Sequence, residues 1–216
     1  MKRIKFFVRT TGERDLTNYT FLNYTPMYDY EHKPIESFIE QLKLISTEDS
    51  IMLEDDVIFC KDFLEEVNKA ISRFPNKVIN FFYMYLQFMP IRPFPGKSFL
   101  NNQCVYYPKG VAKKIAEEME KVISEGCAEK QYDRIQAIAM DRLGIDFISY
   151  RPMIVQHVGG GKSLLGNEWL ADGKTIFFKD DLPCDYDDFK TIIDYAYKKY
   201  DEFGIKYHRP KIIKRK

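Results

Sequence analysis

The residues best suited to chemistry form an acidic triplet, Glu54-Asp55-Asp56, which directly follows the apolar run Ile51-Met52-Leu53. Three adjacent carboxylates repel one another, so they are costly at the end of a buried strand unless a cation compensates them. Hard carboxylate oxygens suit Mg2+ or Mn2+, which proteins hold with one or two acids while substrate phosphates complete the coordination. A solvated turn, or an acid that caps the following helix, is the alternative interpretation. Apolar residues on both sides of the triplet favour a metal and diphosphate site.

A second candidate segment, residues 152–166, combines a histidine with a run of glycines. The imidazole of His157 suits Mn2+ better than Mg2+. The backbone of Gly159-Gly160-Gly161 can approach a phosphate closely, and Lys162 would add a positive charge beside it. A Walker A loop is excluded, because that pattern requires glycine at the position of Gln156. The alternative interpretation of His157 is a buried or capping histidine.

These two segments carry a resemblance to a known family. The stretch Ile51-Met52-Leu53-Glu54-Asp55-Asp56-Val57 resembles the DXD region of GT-A glycosyltransferases. It is most similar to the LEDDV motif of the family 25 lipopolysaccharide glycosyltransferases and to the EDD motif of N-acetylglucosaminyltransferases. Residues 152–166 resemble the P-x-x-x-x-H-x-G…S-x-x-G stretch found late in several GT-A families. The resemblance covers residues 4 to 166.

The resemblance implies a metal-dependent enzyme that transfers a sugar from a nucleotide-sugar donor, for which a UDP-sugar such as UDP-glucose is the candidate. Asp56 would coordinate a Mn2+ (or Mg2+) ion that bridges the donor diphosphate, and His157 would complete the metal site or contact the phosphates. Glu54 and Asp55 would contact metal-bound water, the ribose or the donor sugar, while Ser163 would lie near the diphosphate. The metal would neutralise the charge that grows on the departing nucleoside diphosphate.

The resemblance also indicates a catalytic base and a nucleotide-binding loop. Inverting GT-A enzymes place a carboxylate that deprotonates the acceptor hydroxyl at about the position of Asp133, with Glu129 as the reserve. The alternative for Asp133 is a helix-capping role, because Asp is favoured at the first turn of helices. Thr10, Thr11 and Arg14 follow the first predicted strand, where GT-A proteins bind the base and ribose.

Composition and charge narrow the class of protein. The apolar content of 45% and the abundance of Phe and Tyr argue against a disordered chain, and a net charge of +1 gives no overall attraction to nucleic acid or membrane. We find no signal peptide and no stretch long enough for a membrane span. Four irregularly spaced cysteines indicate neither a zinc site nor a disulfide framework, so we expect reduced thiols in the cytoplasm.

The elements that must position these residues alternate between strands and helices. This pattern predicts an α/β fold, a single domain over residues 1–205 with a mostly parallel central sheet flanked by helices. The resemblance implies that this fold is of the GT-A (Rossmann-like) type. Ligands bind at the carboxyl ends of such strands, which places the residues after Val8 and the acidic triplet at the site. In an extended segment, Glu54 and Asp56 would point to one side and Asp55 to the other. Strands are predicted at 4–8, 51–53, 78–86, 103–107, 146–150 and 153–155, and helices at 34–45, from 62, around 111–122, at 132–143 and at 187–203.

Several functions remain open. The leading hypothesis is a Mn2+-dependent UDP-sugar transferase whose acceptor is unknown. The basic segment 206–216, with six Lys or Arg, is either a solvated tail or a contact for an anionic polymer, including a hydroxymethylated base in phage DNA. A metal-dependent phosphodiesterase or nuclease is the second class, because clustered acids and a histidine also suit two-metal hydrolysis. A catalytically inactive GT-A domain that binds nucleotides is the third.

Overall fold

The structure is a computed structural model that describes residues 4–83, 91–158, 175–185 and 188–202. Lys162, Ser163 and the basic segment 206–216 lie outside the described residues. The strands are β1 (Lys5–Thr10), β2 (Thr25–Tyr28), β3 (Ser50–Glu54), β4 (Val57–Phe59), β5 (Val78–Asn80), β6 (Pro93–Phe94), β7 (Cys104–Tyr107), β8 (Phe147–Ser149) and β9 (Val155–His157). The α-helices are α1 (Pro34–Ile45), α2 (Phe63–Arg73), α3 (Val111–Ser124), α4 (Tyr132–Arg142) and α5 (Phe189–Glu202).

Seven of these strands form one sheet in the order β2-β1-β3-β7-β5-β8-β6. Strands β1, β2, β3, β5 and β8 point in one direction, whereas β7 and β6 run antiparallel to their neighbours. The predicted α/β class is therefore confirmed, and the sheet is mixed, with most of its strands in one direction. Strands β4 and β9 pair antiparallel in a separate two-stranded sheet.

Helices cover both faces of the large sheet, as the alternation along β3 shows. Met52 packs on one face with the apolar stripes of α1, α3 and α4, whereas Ile51 and Leu53 pack on the other face with α2. The short 3-10 helix Thr17–Leu22 also lies on this second face, where it buries Tyr19 and Leu22. None of the helices in the described parts of the chain has the length and apolar character needed to cross a bilayer.

Most predicted elements are present, and the differences have local causes. Strands β2 and β6 were not predicted, because a proline lies in each and each is only four or two residues long. Strand β4 was not predicted, because its apolar run is only three residues long and directly follows the acidic triplet. The last predicted strand is shifted: Met153 makes only a single bridge to Phe178, and β9 begins at Val155.

The sheet brings the expected site residues to one edge. Strand β1 pairs in parallel with β3 so that Arg9 lies opposite Glu54, and with β2 so that Thr10 lies opposite Tyr28. The carboxyl ends of these three strands therefore meet at the same edge, as expected for the ligand-binding edge of an α/β sheet.

Candidate functional site

The acidic triplet forms a turn between β3 and β4. Strand β3 ends at Glu54, so the alternation of side chains predicted across the triplet is wrong beyond that residue: Asp55 and Asp56 lie in the turn and both contact Arg14. The phenol oxygen of Tyr19 accepts a hydrogen bond from the Val57 N–H at 3.0 Å and lies 2.8 Å from the Glu54 carbonyl oxygen. This buried hydroxyl holds both ends of the turn.

Asp56 lies against the end of β9. Pairing of β4 with β9 puts Val57 opposite His157, and the Val158 N–H donates to the Asp56 carbonyl oxygen at 2.8 Å. The Nε2 atom of His157 is 3.1 Å from Oδ2 of Asp56. The structure therefore brings together the two residues predicted as metal ligands.

Arg14 compensates the charge of this turn. Its NH1 atom lies 3.0 Å from Oδ1 of Asp55 and 2.7 Å from Oδ2 of Asp56. Burial alone would raise the pKa of Asp56, but the hydrogen bonds and charges of His157 and Arg14 outweigh it and hold this pKa below its ordinary value. Asp56 is therefore ionised at neutral pH, as a metal ligand must be.

The turn offers potential ligand atoms for a divalent cation at Asp56 and His157. Among the residues that the structure describes, Oδ1 of Asp56 is buried and has no hydrogen-bond partner, so one acceptor of an ionised carboxylate is unused. Asp56 and His157 offer a carboxylate oxygen and an imidazole nitrogen 3.1 Å apart, a donor pair that suits Mn2+, whereas Asp55 contacts Arg14. A cation bound to these oxygens would take over the role of Arg14, whose side chain is 41% exposed and has room to turn away.

Glu54 belongs to a different, buried network. Its Oε1 accepts a hydrogen bond from the Tyr132 hydroxyl, and its Oε2 accepts one from Nε2 of Gln103 at 3.3 Å. The NH1 atom of Arg9 is 3.5 Å from Oε1. Burial and the nearby charge of Asp56 raise the pKa of Glu54 to about 6, although Arg9 opposes the shift. The partners of Glu54 are thus protein groups on α4, on β1 and just before β7.

The turn after β1 carries Thr10 and Thr11. Thr10 is buried, and its hydroxyl accepts a hydrogen bond from the Gly12 N–H at 2.9 Å, whereas Thr11 is half-buried in the same turn. Two exposed tyrosines, Tyr28 and Tyr30, stack at 4.8 Å between ring centroids beside this turn. A side chain at Gly12 would meet the Tyr30 ring at 3.3 Å, so the glycine lets the pair lie close over the backbone. Sequence reasoning missed this aromatic pair.

Asp133 lies in the first turn of α4. One of its oxygens accepts a hydrogen bond from the Arg134 N–H at 2.8 Å, and the N-cap of the helix is Gln131, so Asp133 is an acid of the first turn rather than the cap. Burial raises the pKa of Asp133, although backbone hydrogen bonds from Asn101 and Arg134 oppose the shift. The residue directly before it, Tyr132, contacts Glu54, so Asp133 is tied to the same edge of the sheet as the acidic turn.

A second group of potential metal ligands, which the sequence did not indicate, lies at the start of α2. Cys60, Asp62 and Asp180 present ligand atoms within 4.8 Å of one another. Lys179 contacts Asp62 and also Glu66, at 3.1 Å, and the Lys61 N–H donates to Asp180 at 3.1 Å. Burial raises the pKa of the Cys60 thiol to about 12, which disfavours a thiolate ligand. Asp62 is therefore already paired with Lys179, whereas Asp180 accepts from a backbone N–H.

Comparisons with known proteins identify no family for this chain. No protein-family model matches the chain, and no curated protein matches it significantly.

Proposed function

We propose that the chain is a metal-dependent glycosyltransferase of the GT-A type, which transfers a sugar from a nucleotide-sugar donor, with UDP-sugars as the first candidates, to an acceptor hydroxyl. The observation that carries the proposal is the placement of Asp56 against His157 at the carboxyl edge of the sheet, with one Asp56 oxygen buried and unpartnered. This edge is where α/β sheets bind nucleotides and phosphorylated ligands.

Asp56 and His157 would hold Mn2+ (or Mg2+), with Asp55 beside them. The bound ion would supply neutralisation of the negative charge on the leaving nucleoside diphosphate. Arg14 contacts both aspartates and is half-exposed, so its guanidinium can turn to a diphosphate oxygen once a cation compensates the acids.

The nucleoside would bind beside the turn after β1. Tyr28 and Tyr30 offer exposed aromatic faces next to Thr10, and a planar base can stack on such a face. Thr11, in the same turn, can hydrogen-bond the ribose through its hydroxyl. A donor in this position extends from the tyrosine pair toward Asp56 along the ends of adjacent strands β1 and β3.

Asp133 would accept the proton of the acceptor hydroxyl. A carboxylate whose pKa is raised by burial is a stronger base than an exposed one. Asp133 directly follows Tyr132, whose hydroxyl donates to Glu54, so the acceptor would enter near this end of β3.

A two-metal hydrolase has less support. Such enzymes need two cations about 3.5–4 Å apart. The other acidic group in the described part of the chain, around Asp62, is already paired with Lys179. A catalytically inactive domain would bind the same nucleotide, so only a measurement of turnover distinguishes it from the proposed transferase.

The proposal is tested by product analysis. The purified chain is incubated with Mn2+ and with UDP-glucose, UDP-galactose or UDP-N-acetylglucosamine, and release of UDP and of free sugar is measured with and without EDTA. We expect slow Mn2+-dependent release of UDP and free sugar from one donor. When an acceptor is added, the release of free sugar should fall, because the sugar is transferred to the acceptor. Asp56→Asn should abolish cleavage, whereas the same change at the exposed Asp146, Asp146→Asn, should not. Cleavage that is indifferent to EDTA would contradict the proposal.

A further inference from the structure

A hydrogen bond links the two halves of the candidate site. Helix α4 begins at Tyr132, whose hydroxyl donates to Oε1 of Glu54, the last residue of β3. Asp133 follows Tyr132 directly, and Asp55 and Asp56 follow Glu54 directly. Each partner of this hydrogen bond is therefore the direct neighbour of a candidate site residue. Tyr132 precedes the candidate base Asp133, and Glu54 precedes the candidate metal turn of Asp55 and Asp56.

Tyr132 has little freedom to move. Its ring packs against Phe38 of α1 at 4.8 Å between centroids, and the Arg9 guanidinium lies over the ring at 4.6 Å. Arg9 is held in turn between Tyr132 and Phe38 and donates from Nε to Oε1 of Gln41 at 2.7 Å. The hydroxyl is thus aimed at Glu54 by groups from two other elements, α1 and β1.

Glu54 is fixed equally well. Its side chain is 17% exposed, and its two oxygens are shared among Tyr132, Gln103 and Arg9. A buried carboxylate that loses a hydrogen-bond partner keeps its desolvation cost, so the surrounding groups favour the bonded arrangement. With both oxygens used by protein groups, Glu54 is poorly suited to the donor contact that the sequence resemblance implied for it.

We infer that the hydrogen bond between Tyr132 and Glu54 is a positioning device, which fixes Asp133 in the first turn of α4 relative to the metal turn of Asp55 and Asp56. The inference rests on the proposed transferase function. Tyr132 and Glu54 are positioning residues under this account, because they act through Asp133 and Asp56. Catalysis depends on such spacing, since a displacement of about 1 Å can reduce turnover by about a hundredfold.

The test compares Tyr132→Phe with the wild-type chain. The variant keeps the ring between Phe38 and Arg9 and removes only the hydroxyl. We expect its Mn2+-dependent affinity for UDP to stay within about twofold, because Asp56 and His157 are unchanged. We expect kcat for cleavage of the donor to fall by about tenfold or more at an unchanged KM, because Asp133 would also deprotonate a water. Backbone amides at 133–136 should exchange hydrogen faster, whereas those of α3 should not.

Tyr150→Phe is the matched control. The Tyr150 hydroxyl also donates to a buried carboxylate, Glu66, at 2.8 Å, but it lies on the other face of the sheet. This variant should lose comparable stability without a change in kcat. Glu54→Gln provides a second test if Tyr132→Phe folds poorly. Its amide oxygen still accepts from Tyr132, so it should retain more turnover than Glu54→Ala.

The outcomes separate the inference from the proposed function. A wild-type chain that neither binds UDP with Mn2+ nor cleaves any UDP-sugar would overturn both. An active wild type with a Tyr132→Phe variant of equal kcat and equal amide exchange would overturn the positioning role alone. A loss of UDP affinity in Tyr132→Phe equal to its loss of kcat would also overturn it, because the defect would then lie in donor binding.

Discussion

The Asp56 carboxylate and the His157 imidazole lie 3.1 Å apart, although 101 positions separate them in the chain. Pairing of β4 with β9 creates this contact, and the Val158 N–H bonded to the Asp56 carbonyl oxygen closes the pairing at its end. Under the proposed function, this aspartate and histidine would be two ligands of the metal ion, and the unpartnered Asp56 oxygen would offer a further ligand atom.

Replacement of His157 should change the metal preference. His157→Gln removes the imidazole, which suits Mn2+ better than Mg2+, so we expect Mn2+ affinity to fall by about tenfold or more and Mg2+ affinity to fall less. Isothermal titration with each metal in the presence of UDP measures both values. His32→Gln, at an exposed histidine, is the control. Equal Mn2+ affinity in His157→Gln and wild type would remove His157 from the metal site.

Removal of Arg14 should strengthen binding of the metal alone. Arg14→Ala frees Asp55 and Asp56 from their guanidinium partner, so Mn2+ affinity without nucleotide should rise by about fivefold, or ~1 kcal/mol. The affinity for UDP in the presence of Mn2+ should fall, because a diphosphate contact is lost. Arg142→Ala, at an arginine of similar exposure in the last turn of α4, should change neither value. A fall in the affinity for metal alone would show that Arg14 does not compete for these oxygens.

The exposed tyrosine pair should contribute to nucleotide affinity. Tyr30→Ala removes one stacked face, and we expect UDP affinity to fall by about five- to tenfold, equivalent to ~1 kcal/mol, with Mn2+ affinity unchanged. Tyr30→Phe keeps the aromatic face and should bind like the wild type. The Tyr30 side chain is 68% exposed, so the melting temperature without ligand should not change. Equal UDP affinity in the alanine and phenylalanine variants would place the base elsewhere.

The Glu66 network should make stability depend on pH in the acidic range. Burial would raise the pKa of Glu66, but hydrogen bonds from Lys69, Tyr150 and Lys179 outweigh it and hold this pKa below the ordinary value of 4.5. A carboxyl group with a lowered pKa stabilises the fold above its ordinary pKa, and this contribution is lost as the pH falls through the folded-state value. The wild type should therefore lose stability between about pH 5 and pH 3 more steeply than Glu66→Gln.

Urea unfolding across this pH range measures the effect. Glu66→Gln should be less stable than the wild type by about 1–3 kcal/mol at pH 7, because the side chain is only 8% exposed and its partners lose a charged acceptor. The difference should shrink toward pH 3. Glu65→Gln, at the exposed neighbouring acid, is the control and should differ little at any pH. Parallel pH profiles for Glu66→Gln and wild type would contradict the assignment.

The sequence predicted the parts of the site that depend on strand ends. The apolar run before Glu54 identified the end of β3, and the position of β1 placed Arg14 near it. The α/β class followed from the alternation of hydrophobic periods. The antiparallel direction of β7 could not be predicted from the sequence. Residues 104–107 are all buried, and a continuous apolar run of this kind occurs in parallel and antiparallel strands alike.

The contacts around Glu54 could not be predicted in the same way. Tyr132 at a helix start reads as an ordinary core aromatic, and only the three-dimensional packing of α4 against β1 and β3 aims its hydroxyl at Glu54. Likewise, Lys179 meets Asp62 across a sequence separation of 117 residues, without any local pattern that links them. Long-range polar contacts of this kind leave no periodic trace in a single sequence.

The most direct test of the account is the melting temperature of the chain with UDP, GDP, CDP or ADP, each with Mn2+ and again with EDTA. A ligand that binds only the folded state adds about 2.7 kcal/mol of stability at a hundred times its dissociation constant. The account predicts an increase with one nucleotide, UDP first, that requires Mn2+ and disappears in Asp56→Asn but not in Asp146→Asn. No increase with any nucleotide, or an equal increase with EDTA, would contradict the assignment of Asp56 and His157 to a metal and diphosphate site.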